Sequence, residues 1–263
     1  MYDFHVHTCF SYDGSVPLSA WVSEAQEKGL QGICFTDHME MFHNMPEWAT
    51  PLDIPAYRAA FEAEKARSPI PLFFGMELGM QAGFAKGAAA KAAEGAFDFV
   101  IASLHLFNGR DPYYEDLSLE MDRESIIDLM ISETMAALED LECFSVLGHL
   151  DYIFKHHPAK PRALDYAEAP EKLDALLLSL IQKGKGIEVN TSGYGHTGSS
   201  MPGRSIVKRY RELGGEIVTL GSDSHRAGEL GRDFRETMDM LAASGFRYYT
   251  YFQHMEPYFL PIK

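Results

Sequence analysis

Six short hydrophobic runs, spread from one end of the chain to the other, each finish in residues that can bind a metal ion. They end in His5-Val6-His7, Thr36-Asp37-His38, Gly75-Met76-Glu77, Ser103-Leu104-His105, Gly148-His149 and Gly221-Ser222-Asp223-Ser224-His225. A strand places residues i and i+2 on one face, so His5 and His7 point the same way. Asp223 and His225 repeat that geometry. One His-x-His is common by chance. Six such run ends on one chain restrict it to folds that gather strand ends in one place.

Amphipathic helical segments alternate with these runs. Strands are expected at 2–7, 32–36, 71–78, 97–104, 144–147, 186–190 and 216–220, with a last extended piece at 247–252. Helices are expected at 17–28, 53–67, 84–94, 121–141, 170–183, 204–213 and 232–244. Gly29 and Gly214-Gly215 close two of them, and Asp53 before Pro55 is a candidate N-cap. The seven strand–helix units run on without a linker, a low-complexity stretch or a repeat. Residues 1–263 are therefore read as a single α/β domain with a parallel sheet. Every polar candidate lies at or just after the C-terminal end of its strand. Six contributing ends fit a closed or nearly closed barrel better than the single switch point of an open sheet.

Composition narrows the partners. With 23 Lys and Arg against 38 Asp and Glu, the net charge is −15, and no basic run is present. That balance argues against nucleic acid. No stretch approaches the roughly 20 apolar residues that span a bilayer. The N-terminus has no signal-peptide pattern, so a cytoplasmic location is expected. Cys9, Cys34 and Cys143 are odd in number and far apart, which argues for a reducing compartment and against a disulfide framework.

Zinc, iron and manganese accept imidazole and carboxylate together. His5 and His7 supply two nitrogens. Glu77 ends a hydrophobic strand, where an unpaired carboxylate would be costly, and its two oxygens suit it to bridge two ions. A structural ion pair is the alternative for a single buried Glu. His105 and His149 each follow an apolar strand, and taken singly each reads as a core or loop histidine. Asp13 and His38 can complete a further position with His225, although Asp13-Gly14 is also a turn dipeptide. His43, His156, His157, His196 and His254 read as surface or substrate-loop residues. The chain lacks a Gly-x-Ser-x-Gly elbow and a phosphate loop ending Gly-Lys-Ser/Thr. Metal-assisted hydrolysis, which needs no protein nucleophile, is the class that remains.

The ordered set of six motifs resembles the polymerase-and-histidinol-phosphatase (PHP) superfamily. Chain length, Asp13, Gly148-His149-Leu150-Asp151-Tyr152, Glu188-Val189-Asn190-Thr191 and Tyr248-Tyr249-Thr250-Tyr251-Phe252 look like its stand-alone histidinol-phosphate phosphatases. The resemblance implies a distorted (β/α)7 barrel of TIM-barrel type, with the active site at the C-terminal ends of the strands. It implies two or three divalent ions, zinc, manganese or iron. One would take His5, His7, Glu77 and Asp223; a second Glu77, His105 and His149; a third Asp13, His38 and His225. Many members carry His where this chain has Asp13. The implied reaction is attack of a metal-bridging hydroxide on L-histidinol phosphate, a small-molecule phosphate monoester of histidine biosynthesis. Lys155 matches the family's basic position. Arg162 and Arg204 are helper candidates, though ordinary surface charge also explains both. His38 and His225 stand as phosphate-binding candidates and, with Asp223, as catalytic ones. Asp151, Tyr152 and the 194–201 loop are candidates for recognising the imidazole. Two other readings compete: a PHP phosphoesterase acting on nucleotides or nucleic-acid ends, and a barrel that holds metals without catalysis.

Overall fold

The computed structural model describes residues 1–40, 51–155 and 162–262, so His43, His156 and His157 lie outside the described residues. Strand β1 (Tyr2–Val6) leads through helix α1 (Leu18–Lys28) to β2 (Gly32–Phe35) and the two-residue β3 (His38–Met39). Then come α2 (Ile54–Lys65), β4 (Leu72–Gly79), α3 (Ala85–Gly95), β5 (Phe99–Ser103), α4 (Arg123–Leu138) and β6 (Val146–Leu147). The chain continues through α5 (Pro170–Gln182), β7 (Gly186–Asn190), the short α6 (Tyr194–Thr197), α7 (Arg204–Glu212), β8 (Val218–Gly221) and α8 (Phe234–Ala243). It ends in β9 (Tyr248–Gln253) and β10 (Glu256–Pro261).

Local chemistry sets these bounds. The Asp53 carboxylate accepts the Ala56 N–H at 3.0 Å and caps α2, as its place before Pro55 predicts. Asp122 caps α4 in the same way, at 2.8 Å from the Ser125 nitrogen, and so starts that helix two residues later than expected. Gly29 closes α1 with a left-handed φ of 68°.

The strands pair in parallel in the order β1-β2-β4-β5-β6-β7-β8. β3 continues the line of β2: Phe35 faces Phe74, and three residues later His38 faces Glu77. Seven parallel strands thus make a nearly closed barrel, with helices outside. Closure between β1 and β8 rests on few backbone bonds, the Val6–Ser224 bridge and the Asp223 N–H on the His5 carbonyl among them. The buried Asp3 carboxylate reinforces it by accepting N–H bonds from Ser222 and Gly231.

Two layers of apolar side chains hold the barrel. The larger lies between strands and helices, and includes Trp21, Phe35, Phe74, Val189 and Leu220. The smaller fills the barrel floor with Phe4, Cys34, Phe73, Phe99, Ile101 and Val146. Asp3 pairs with Ile33 but Val6 with Phe35, so β1 carries one residue more than β2 across that span. The bulge re-aims the strand. Phe4 fills the floor, and the next residue, His5, joins the polar end above it.

The last segment differs from the sequence expectation. The piece at 247–252 is half of an antiparallel hairpin, β9–β10, outside the parallel sheet. Its Phe252 enters the floor cluster, with its ring centroid 5.2 Å from that of Phe99, while Tyr251 stacks on Tyr2 at 5.0 Å. The hairpin therefore stoppers the end of the barrel opposite the polar strand ends. No described helix is long and apolar enough to cross a membrane. The cysteines are free.

Phe252→Ala is expected to cost about 3–5 kcal/mol, the usual range for an emptied aromatic core site. Denaturant unfolding of the metal-free protein measures it. A loss below 1 kcal/mol would show that the floor closes without the hairpin.

Candidate metal centre and active site

Three groups of donors meet at the C-terminal ends of the strands. In the first, the Nε2 atoms of His5 and His7 face each other at 3.0 Å. Glu77 Oε2 lies 3.1 and 3.3 Å from them, and Asp223 Oδ1 lies 3.6 and 3.4 Å away. In the second, Glu77 Oε1 is 2.8 Å from His149 Nε2 and 3.2 Å from His105 Nε2. In the third, Asp13 Oδ2 lies 3.1 Å from His225 Nε2 and 3.6 Å from His38 Nε2. The two oxygens of Glu77 thus serve two separate groups. Asp223 reaches the first from a left-handed φ of 53°, a conformation Asp adopts more readily than most residues.

The second ring nitrogens of His5, His7, His105 and His225 are committed. His5 Nδ1 is 2.6 Å from Glu188, and His105 Nδ1 is 2.6 Å from Glu40. The Ser11 hydroxyl gives its one proton to Asp37 at 2.7 Å, so it accepts the Nδ1–H of His7 at 3.0 Å. His225 Nδ1 donates to the Asp223 carbonyl at 3.1 Å. These bonds leave Nε2 lone pairs of His5 and His7 facing one another. Glu77 Oε2, His38 Nδ1 and His225 Nε2 are buried without a hydrogen bond. Converging bare donors of imidazole and carboxylate type fit divalent transition ions.

In the metal-free chain protons take that place. Burial alone would raise the Glu77 carboxyl, but the charges of His5, His38 and His105 hold it well below the carboxylate range. Burial would lower the His5 imidazole, yet Glu188, Glu77 and Asp223 lift it well above its ordinary value. His7 goes the other way, lowered by burial and by His225 and His38 beside it. Burial also opposes the charged form of His105, but Glu40 and Glu77 push it up to about 10.

Every metal-ligand candidate named from the sequence lies in one of these groups, and Lys155 Nζ sits 3.2 Å from Asp223 Oδ2 at the same mouth. The cavity above them holds about 380 Å³ and is lined by Lys155, Arg226 and Arg232 on the Asp223–His225 side. Arg162 and Arg204 do not line it. The Arg162 side chain is 61% exposed and pairs with Glu168 at 2.7 Å, and Arg204 is an exposed first residue of α7. Among the imidazole-recognition candidates, Tyr152 and His196 line the cavity, whereas His254 lies at the hairpin turn. Asp151 is buried and accepts the Leu164 N–H at 3.2 Å.

Sequence reasoning missed the residues behind the ligands. Glu40 follows His38 by two, the same alternation that exposed His5 and His7. Glu188 is a charge in the middle of an apolar strand, a costly position that asks for a partner. Gly221 makes its seat: a Cβ there would collide with the Glu188 carboxylate and with His5 Cβ. Arg226, Arg232 and Asp111 carried no signal beyond their charge.

A family model described as PHP domain matches residues 3–192. A histidinol-phosphatase of Lactococcus lactis subsp. lactis (strain IL1403) is 27% identical over 262 residues, covering 97% of this chain and 95% of that protein. A probable histidinol-phosphatase of Clostridium acetobutylicum is 27% identical over 241 residues, covering 91% and 92%. A crystal structure of histidinol phosphate phosphatase from Lactococcus lactis subsp. lactis Il1403, complexed with zinc, L-histidinol and phosphate, superposes with a TM-score of 0.87 at 26% identity. It covers 98% of each chain.

Glu188→Gln is expected to weaken zinc binding about 10- to 100-fold, the usual cost of losing a carboxylate behind a ligating histidine. A competition titration with a chelating dye reads this, and unchanged affinity would remove Glu188 from the site. The imidazole shifts set a pH dependence. His105 gains its acidic partners on folding, so its stabilisation of the metal-free fold is complete below about pH 6.5 and is lost as pH rises through about 10. At pH 7.5 zinc must therefore displace protons. Calorimetry in buffers of different ionisation enthalpy should register their release, and none would mean that the imidazoles are already neutral.

Proposed function

The chain belongs to the PHP domain family, and from that premise we propose that it is a metal-dependent phosphomonoesterase that hydrolyses L-histidinol phosphate to L-histidinol and phosphate. One observation carries the metal chemistry: Glu77 presents one oxygen to His5 and His7 and the other to His105 and His149, at the base of a single cavity. The histidinol-phosphatase relatives, and the neighbour solved with zinc and both products, support the substrate.

We assign one ion to His5, His7, Glu77 and Asp223, a second to Glu77, His105 and His149, and a third to Asp13, His38 and His225. Zinc is the metal of the solved neighbour, and manganese and iron suit the same donors. Bound there, such ions neutralise phosphate oxygens and acidify water. The protein's own part is to hold and orient. Lys155 (facing Asp223), Arg226 and Arg232 (pairing with Glu229) bring positive charge to the cavity for the phosphate, a role in which spreading charge is most of the task. The wall beside His105 and His149 is different. There Asp111 lies 3.4 Å from the Tyr152 hydroxyl, and the Tyr152 ring is 5.4 and 5.1 Å from those imidazoles. A carboxylate beside an aromatic face suits the amino-imidazole end of the substrate. Asp223, His225 and His38 act as ligands in this reading, because Asp223 Oδ1 faces the His5–His7 pair and the Nε2 atoms of His38 and His225 face Asp13. Residues 1–263 then form one barrel domain.

Phosphate release from L-histidinol phosphate, adenosine monophosphate and p-nitrophenyl phosphate tests the proposal, each with EDTA and with added zinc or manganese. The expected result is metal-dependent turnover that favours histidinol phosphate at least tenfold. Preference for the nucleotide would overturn the substrate, and inactivity with every metal would overturn the enzyme.

A further inference from the structure

Glu40 is buried at the end of β3, and its Oε1 approaches two imidazoles at once. It lies 2.6 Å from His105 Nδ1 and 3.3 Å from His38 Nδ1. These two histidines serve different ion positions in the reading above. The seat is built for the carboxylate. Gly79 on β4 faces it, and a Cβ there would collide with both Glu40 oxygens. Met39 pairs with Leu78 in the same ladder, which fixes the height of Glu40 against Gly79.

His38 has a choice that His105 lacks. Its Nε2 faces Asp13 in a group with His7 and His225, and its Nδ1 faces Glu77 at 3.1 Å in a group with His105. The donor atoms of either group lie within 4.8 Å of one another, so either nitrogen of His38 can join a cluster. An imidazole that ligates through one nitrogen carries its proton on the other, and the acceptor behind the ring decides which. His38 Nδ1 is buried without a hydrogen bond. The nearest acceptors are Glu77 Oε2 and Glu40 Oε1. Glu77 Oε2 already faces His5 and His7, and a cation there would engage its lone pairs. Glu40 is then the acceptor that remains for the Nδ1–H of His38, as it is for that of His105.

We propose that Glu40 is a positioning residue for both rings, selecting Nε2 as the ligating atom of His38 and of His105 and so tying two ion positions to one carboxylate. The inference rests on the three-position reading under Proposed function. Its consequence is selective: losing Glu40 weakens two positions together and spares the one built on His5 and His7, whose rings lean on Glu188 and Ser11.

The test is the two-bond proton–nitrogen spectrum of 15N-histidine-labelled, zinc-loaded protein, which reports the tautomer of each ring. The wild type should show His38 and His105 both protonated on Nδ1. Glu40→Leu should change both signals and leave those of His5 and His7 in place, with zinc affinity lowered about 10- to 100-fold at two positions. Glu40→Gln keeps an acceptor oxygen and should restore both tautomers. Glu40→Asp draws the carboxylate back by one methylene, and it gives the same two-ring readout if the leucine variant does not fold. A change at His105 alone, or equal changes at His5 and His7, would overturn the proposal. A wild type that binds fewer than three zinc ions would instead overturn the three-position reading, a result the titration gives separately from the tautomers.

Discussion

Glu77 is 1% exposed, and its two oxygens look in different directions, one at His5 and His7 and the other at His105 and His149. A carboxylate in that position cannot be hydrated and must be surrounded by positive charge, whether protons on imidazoles or divalent ions. The strands around it have to deliver those imidazoles from both sides. A flat sheet cannot place β1 next to both β2 and β8. A ring can, and the approach of Ser224 to Val6 brings Asp223 over the pair that begins the chain.

Holding several imidazoles in one buried space requires a second set of groups behind them. Each ring has two nitrogens, and an acceptor behind the ring fixes which of them carries the proton. Glu188 in β7, Glu40 after β3 and the Ser11–Asp37 pair in the loops after β1 and β2 supply acceptors for His5, His105 and His7. Their carboxylates need room within a packed barrel, and Gly221 and Gly79 give it by having no Cβ. Part of the chain's acidic balance is thus interior: Glu40, Glu77 and Glu188 are all buried.

The lower half of the same barrel obeys the opposite rule. Its floor is aromatic and aliphatic, and the β1 bulge separates Phe4 below from His5 above. The β9–β10 hairpin closes that floor with Phe252, and Asp98 fastens the hairpin turn by accepting the His254 N–H at 3.0 Å. Water is kept from the underside of the polar layer, so the cavity on the strand-end side is its route to solvent. Lys155, Arg226 and Arg232 line it together with Asp111, Glu229 and Tyr152, so the opening carries charge of both signs.

The sequence by itself determined the strand–helix alternation, the ring of strand ends and the ligand candidates on it. Each of these is written in local patterns: an apolar run of period two, a polar residue at its end, a cap or a glycine at a helix boundary. Asp53 and Gly29 act as their positions predict, and the donors from His5 to His225 converge. Only the tertiary structure decided which residues stand behind the ligands, which charges reach the cavity and what becomes of the C-terminal segment. Glu188 meets His5 across 183 residues, and Glu40 meets His105 across 65. Arg162 and Arg226 carry the same charge, yet only Arg226 faces the cavity. The terminal strand reads as extended in isolation, but its place under the barrel depends on the shape of the floor it fills. Pairings of that kind are fixed by closure of the ring, which no stretch of sequence contains.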